Sequence, residues 1–152
     1  MRLLSARAGV KLGPGDPYEG LELPRKDVKL AINVMLNAPS WARARAALIA
    51  NLSDDYGPPV GTQVDELRTA IQRRFPALDP FWNTGYGLTL QGIDAEICER
   101  LQRRLRDRGV PALSVHDSFV VPQSAREFTT GVMYEELDRA CDRLRKMLET
   151  TD

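Results

Sequence analysis

The sequence predicts an α+β fold that is mostly helical, and three observations carry that prediction. Apolar residues recur at helical spacing along most of the chain, as in Ile93, Ile97, Leu101 and Leu105. Gly and Pro cut the chain into stretches of helix length. One region, Ala112 to Val121, instead holds two short apolar runs on either side of polar residues, the pattern of a β-hairpin. A length of 152 residues suits one structural unit with one core. The hydrophobic fraction of 43% and charged fraction of 28% are those of a soluble globular protein.

The elements follow in order. Residues 2–8 read as a short helix, and residues 9–24 as a loop with Gly13-Pro14-Gly15 and Asp16-Pro17. Pro24 opens a helix from Arg25 to Asn37, stopped by Pro39. Ser40 caps a third helix reaching about Leu52, and Gly57-Pro58-Pro59 marks the loop after it. Thr62 caps a fourth helix through Phe75, with Asp65 and Glu66 in its first turn. Residues 76–90 read as irregular or weakly extended, because Pro76, Pro80, Gly85 and Gly87 oppose a helix; Phe81, Trp82 and Tyr86 are expected on the core. A long helix is predicted over 92–108 and ends at Gly109. Strands are predicted over 112–115 and 119–121. A capping box, Ser124 to Glu127, starts a final helix whose inward stripe includes Val132, Leu137, Cys141, Leu144 and Leu148.

Composition excludes several classes. No apolar run is long enough to cross a membrane, and the N-terminus lacks a signal-peptide core. Cys98 and Cys141 fall on apolar stripes, so buried free thiols and a cytoplasmic setting are expected. One His and two scattered Cys argue against zinc. Net charge is zero, so the chain as a whole does not attract nucleic acid. The arginines between Arg100 and Arg108 and the acids between Glu135 and Asp142 read as solvated helix faces.

Three constellations bear on chemistry. The first is Ser114-Val115-His116-Asp117-Ser118-Phe119, with the chain's one histidine. An acid at the tip of an apolar hairpin is costly unless a metal or cation meets it; the alternative is a turn that uses a turn-favouring Asp. His116, Asp117 and Ser118 are not a hydrolytic triad, because three consecutive residues cannot form the relay of nucleophile, base and orienter. The second is Arg25, Lys29, Asn33 and Asn37, spaced by four and so on one helix face. An Arg and a Lys one turn apart can grip adjacent phosphates, as fork and point charge; the alternative is a solvated polar face. The third is Gln91, placed where the long helix is expected to begin. Its amide both donates and accepts, which suits a base edge or sugar; the alternative is helix capping.

Taken in order, these motifs resemble the back half of family A-type nucleic-acid polymerases, including phage-type single-subunit RNA polymerases. The Arg25/Lys29 helix resembles the fingers helix that holds the incoming triphosphate. Gln91-Gly92-Ile93-Asp94-Ala95-Glu96-Ile97 is similar to the palm helix whose Gln contacts the primer–template minor groove. Val115-His116-Asp117-Ser118-Phe119 looks like the motif whose Asp binds metal and whose His lies near the primer end. Gly15-Asp16-Pro17-Tyr18 is similar to a loop of small polymerase-like proteins of phages and integrated elements. The resemblance implies fingers-like helices over 1–90 and a palm-like part over 91–152, built as one unit, with the hairpin packed on two long helices. It implies catalytic roles for His116 and Asp117, nucleotide binding by Arg25, Lys29, Asn33 and Asn37, nucleic-acid contact by Gln91 and Ser118, and Mg²⁺ on Asp117. Its partners would be a primer–template, a nucleoside triphosphate and a chain supplying the missing metal-binding motif A.

The departures are specific. Motif A is absent; the resemblance puts it just before Met1. Asn37-Ala38 stands where the family has Tyr-Gly, and Ser118 stands where its DNA polymerases have Glu. Phosphoryl transfer of this kind uses two metal ions about 3.5–4 Å apart. Asp117 has no evident partner carboxylate; Asp16 and Asp94 stand in only by default. The expectation is a fragment or subunit of a template-directed nucleotidyltransferase, inactive alone. A non-catalytic nucleic-acid- or partner-binding helical domain is the alternative.

Overall fold

The computed structural model describes residues 1–13, 15–56, 60–115 and 118–149. Among the described residues six α-helices dominate: α1 (Arg2–Arg7), α2 (Arg25–Asn37), α3 (Trp41–Tyr56), α4 (Val60–Arg74), α5 (Tyr86–Asp107) and α6 (Arg126–Glu149). Two strands, β1 (Leu113–Val115) and β2 (Ser118–Val120), form an antiparallel pair. The architecture is therefore α+β and mostly helical. His116 and Asp117, the tip of the predicted hairpin, lie outside the described residues. So do Gly57-Pro58-Pro59, Pro14 and the side chain of Leu148.

α2 has the predicted bounds. Val28, Ala31, Ile32, Met35 and Leu36 are buried and form one stripe, while Arg25, Lys29 and Asn33 are exposed on another. The Pro24 carbonyl accepts the first helical N–H groups, from Asp27 at 2.9 Å and Val28 at 3.2 Å. The stripe packs on α3 and α4 through Ala44, Leu48, Val64 and Ile71 to make the main core. As expected, the Ser40 hydroxyl accepts the Arg43 N–H at 3.3 Å and caps α3. α3 continues past Leu52 to Tyr56, and α4 starts at Val60 rather than Thr62.

The stretch 76–90 departs from expectation. Pro76–Phe81 forms a 3₁₀ helix, with Pro at its first turn where no N–H is needed. α5 then begins at Tyr86, not Gly92. Gly85 opens α5 in the left-handed region, φ 73°, which glycine enters without strain. Phe81, Trp82 and Tyr86 do pack on the main core. The boundary drawn at 90/91 falls inside α5, which runs unbroken.

Two smaller clusters complete the unit. Ala6 of α1 meets Cys141 and Leu144 of α6. Leu101 and Leu105 of α5 meet Val132 of α6, with Phe119 and Phe128 packed against them. Through Phe119 the hairpin rests on the two long helices, α5 and α6. The register pairs Leu113 with Val120 and Ser114 with Phe119. Cross-strand partners share a face, so Leu113 and Val120 point away from that packing and are 63% and 61% exposed. α6 begins at Arg126, behind a 3₁₀ turn over Gln123–Ala125.

Candidate functional site

An open cleft of about 610 Å³ lies where α1, α2 and α5 meet. Its walls include Lys29 and Asn33 from α2, Gln91 and Asp94 from α5, and Tyr18 from the loop before α2. Lys29 and Asn33 of one sequence constellation and Gln91 of another therefore share one concavity, while Arg25 and Asn37 do not line it. The third cannot be placed against them, because His116 and Asp117 lie outside the described residues.

The cleft owes its shape to a pin between α2 and the turn before α5. Pro39 cannot donate to the Met35 carbonyl, four residues earlier, so that acceptor would be orphaned. Asn83 supplies the missing donors. Its backbone N–H lies 2.6 Å from the Met35 carbonyl oxygen, and its side-chain amide reaches the Met35 and Ala38 carbonyls at 3.3 and 3.4 Å. Asn83 does this from the left-handed region, φ 61°, which Asn tolerates better than most residues. The turn is thereby fixed, and the first turn of α5 lies against the last turn of α2.

Gly87 then explains itself. A Cβ there would sit 2.2 Å from Asn37 Oδ1 and 2.6 Å from its Cγ and Nδ2. Asn37 in turn donates its amide to the Asn33 carbonyl at 2.9 Å and to Asn33 Oδ1 at 3.1 Å. The two Asn residues thus form a chain of amides down the side of α2 toward α5. Asn33 lines the cleft, whereas Asn37 turns to its own helix. Gln91 is not at a helix start as expected but in the second turn of α5. Its backbone lies within the helix, and its exposed side chain lies at the cleft wall.

The two cations differ. Lys29 is exposed and has no carboxylate within ion-pair distance among the described residues. Arg25 is engaged: its Nε lies 2.5 Å from Asp16 Oδ2, and its guanidinium lies 5.6 Å from the centre of the Tyr18 ring. Asp16 Oδ1 also accepts the Tyr18 N–H at 2.9 Å. That N–H and the Arg25 guanidinium hold the Asp16 carboxyl below its ordinary range. Burial pushes the Tyr18 phenol up, so it stays protonated at neutral pH.

The arginine-rich half of α5 is internally neutralised. Arg100 and Arg103 pair with Glu96 and Glu99 one turn earlier, at 3.8 and 2.5 Å. Arg104 bridges to Glu135 at 2.7 Å and to Glu136 at 3.0 Å on α6. Glu136 is only 2% exposed, and Arg139 meets it from the other side at 2.7 Å. Arg104 thus joins α5 to α6, while Arg100 and Arg103 are paired within α5.

Ser118 is exposed at the start of β2, paired in register with Val115. Among the described residues no group of three or more His, Cys, Asp or Glu side chains converges so as to hold a metal ion. Cys98 and Cys141 are both free thiols, half-buried and buried. No described helix is long and apolar enough to cross a membrane.

Sequence reasoning missed Asn83 and Gly87 as parts of this site, and it named Asp16 and Tyr18 only in the loop resemblance, with Asp16 as a default carboxylate, not as partners of Arg25. The Asn83-Thr84-Gly85 run was a turn signal, but its partner is in α2, far back along the chain. No protein-family model, curated protein or solved structure matches the chain.

Proposed function

We propose that the chain is a nucleotide-binding part of a template-directed nucleotidyltransferase of the polymerase type, with the α2–α5 cleft as its nucleotide site. The observation that carries this reading is the shared concavity. Lys29 and Asn33 on one wall and Gln91 on the other arise from distant parts of the sequence. A cation without a carboxylate partner among the described residues, beside two amides, suits a phosphate next to a sugar or base edge. Arg25, one turn before Lys29, would add a forked donor to the same polyphosphate.

In this reading Asp117 contributes one carboxylate to Mg²⁺, and His116 and Ser118 lie beside it near the primer end. The second carboxylate comes from another segment or chain. The hairpin offers a place for it: a two-stranded sheet is marginal by itself, and its Leu113/Val120 face is exposed. No catalytic step is assigned to these residues alone. The setting is cytoplasmic and the nucleic-acid partner a primer–template. Arg100, Arg103, Arg104 and Arg106, paired with acids, play no part in holding it.

The test is equilibrium binding of a nucleoside triphosphate by the purified chain, read by calorimetry. Lys29→Ala should weaken binding roughly tenfold or more, the worth of one charge-assisted contact. Equal binding by Lys29→Ala and Gln91→Ala variants would remove the cleft from the account.

A further inference from the structure

We infer that Asp16 is a built-in competitor for the anion that Arg25 is placed to hold, so that a phosphate engaging the Arg25 Nε–H displaces the Asp16 carboxylate. This rests on the nucleotide reading of the α2–α5 cleft and concerns its regulation.

The contact takes one of the guanidinium donors that a ligand would use. One Asp16 oxygen takes the Arg25 Nε–H, and the other takes the Tyr18 N–H. The Tyr18 ring lies beside the same guanidinium and also lines the cleft. Asp16 feels the charge of Lys29 as well as that of Arg25. The carboxylate therefore occupies the electrostatic position that two helix cations create. A phosphate oxygen competes for the same guanidinium donors with more charge.

The contact is also built to exchange. The Arg25 and Asp16 side chains are 51% and 25% exposed, so water screens the pair and solvates both ends on release. Glycines bracket the segment: Gly15 has φ +108° and Gly20 φ +79°, conformations that L side chains rarely adopt. Tyr18, Leu21 and Leu23 pack against the main core and hold the loop in place, so release of Arg25 needs only the exposed Asp16 carboxylate beside Gly15 to move.

The test is calorimetric titration of the full chain with inorganic tripolyphosphate at low ionic strength. Asp16→Asn keeps the acceptor for the Tyr18 N–H and removes the charge. It should bind tripolyphosphate about two- to fivefold tighter than wild type, the release of one exposed pair. In an Arg25→Gln background the same substitution should give no gain. Equal tightening in that background would overturn the proposal, since Asp16 would then act through general charge alone. Unchanged affinity in Asp16→Asn, with binding still lost in Lys29→Ala, overturns the competitor and leaves the nucleotide reading standing. Tightening in Asp16→Asn with Lys29→Ala unaffected supports the competitor and counts against Lys29. No binding by wild type, Asp16→Asn or Asp16→Ala overturns both.

Discussion

Asn83→Ala is the most informative single perturbation of the fold around the cleft. It removes two long side-chain hydrogen bonds, at 3.3 and 3.4 Å, to the last turn of α2. Bonds of that length lie at the weak end, and together they contribute roughly 1 kcal/mol. The substitution also forces Ala to hold φ near 61°, which costs about another 1 kcal/mol relative to Asn. The backbone N–H to the Met35 carbonyl survives. The expected loss is therefore about 2 kcal/mol, or a fall in melting temperature of roughly 4–8 °C for a chain this size. Asn83→Gly separates the terms: it loses the amide but relieves the backbone, and should cost about half as much. The assay is urea unfolding followed by tryptophan fluorescence, since Trp82 is adjacent and 8% exposed. An Ala variant within about 0.5 kcal/mol of wild type would refute the pin, by the usual size of a neutral surface change. A Gly variant as costly as the Ala one would refute the backbone term.

Three further outcomes follow. Gly87→Ala places a methyl 2.2 Å from Asn37 Oδ1 and must displace that amide from Asn33. Ala favours a helix by up to about 1 kcal/mol over Gly, so nucleotide affinity should fall while the melting temperature changes little; a large drop in stability with intact binding would contradict this. Glu136→Ala removes a buried carboxylate held by Arg104 and Arg139, and should cost about 1–3 kcal/mol by urea unfolding; Arg104 keeps Glu135 and both arginines reach water, so a loss at the scale of a fully buried pair is not expected. The Asp16 carboxyl is held below its ordinary value of 3.8 by the Tyr18 N–H and Arg25. Its contact with Arg25 should persist across neutral pH and be lost only as pH falls through that lowered value. Carbon-13 titration of the Asp16 carboxyl would read this, and a midpoint at or above 3.8 would contradict it.

α2 was legible to the residue because local signals agreed. Pro stands at both ends, and the stripe Val28, Ala31, Ile32, Met35, Leu36 has one period. The placement of Lys29 and Asn33 on exposed positions followed from the same periodicity. The start of α5 was not legible. Gly85 and Gly87 read as helix breakers, yet one takes a left-handed entry and the other makes room for Asn37. Both roles exist only once α2 and α5 meet. The role of Asn83 likewise depends on Pro39, whose missing N–H is visible in the sequence while its consequence is tertiary. Arg25 looked free because Asp16, nine residues earlier, sits in a loop whose return path no period predicts. Gln91 was placed at a helix start because α5 was drawn too short. The hairpin was legible from its apolar runs, of which Phe119 packs on α5 and α6 while Leu113 and Val120 stay exposed.

The cleft is the centre of the account, and backbone amide chemical-shift mapping of this 17.0 kDa chain tests it most directly. Addition of a nucleoside triphosphate with Mg²⁺ should move the signals of Tyr18, Lys29, Asn33 and Gln91 together, with one saturation curve, and leave those of Arg100, Arg103 and Arg104 in place. Shifts confined to the arginine-rich half of α5, or no shift at Lys29 and Gln91 at saturating nucleotide, would contradict it.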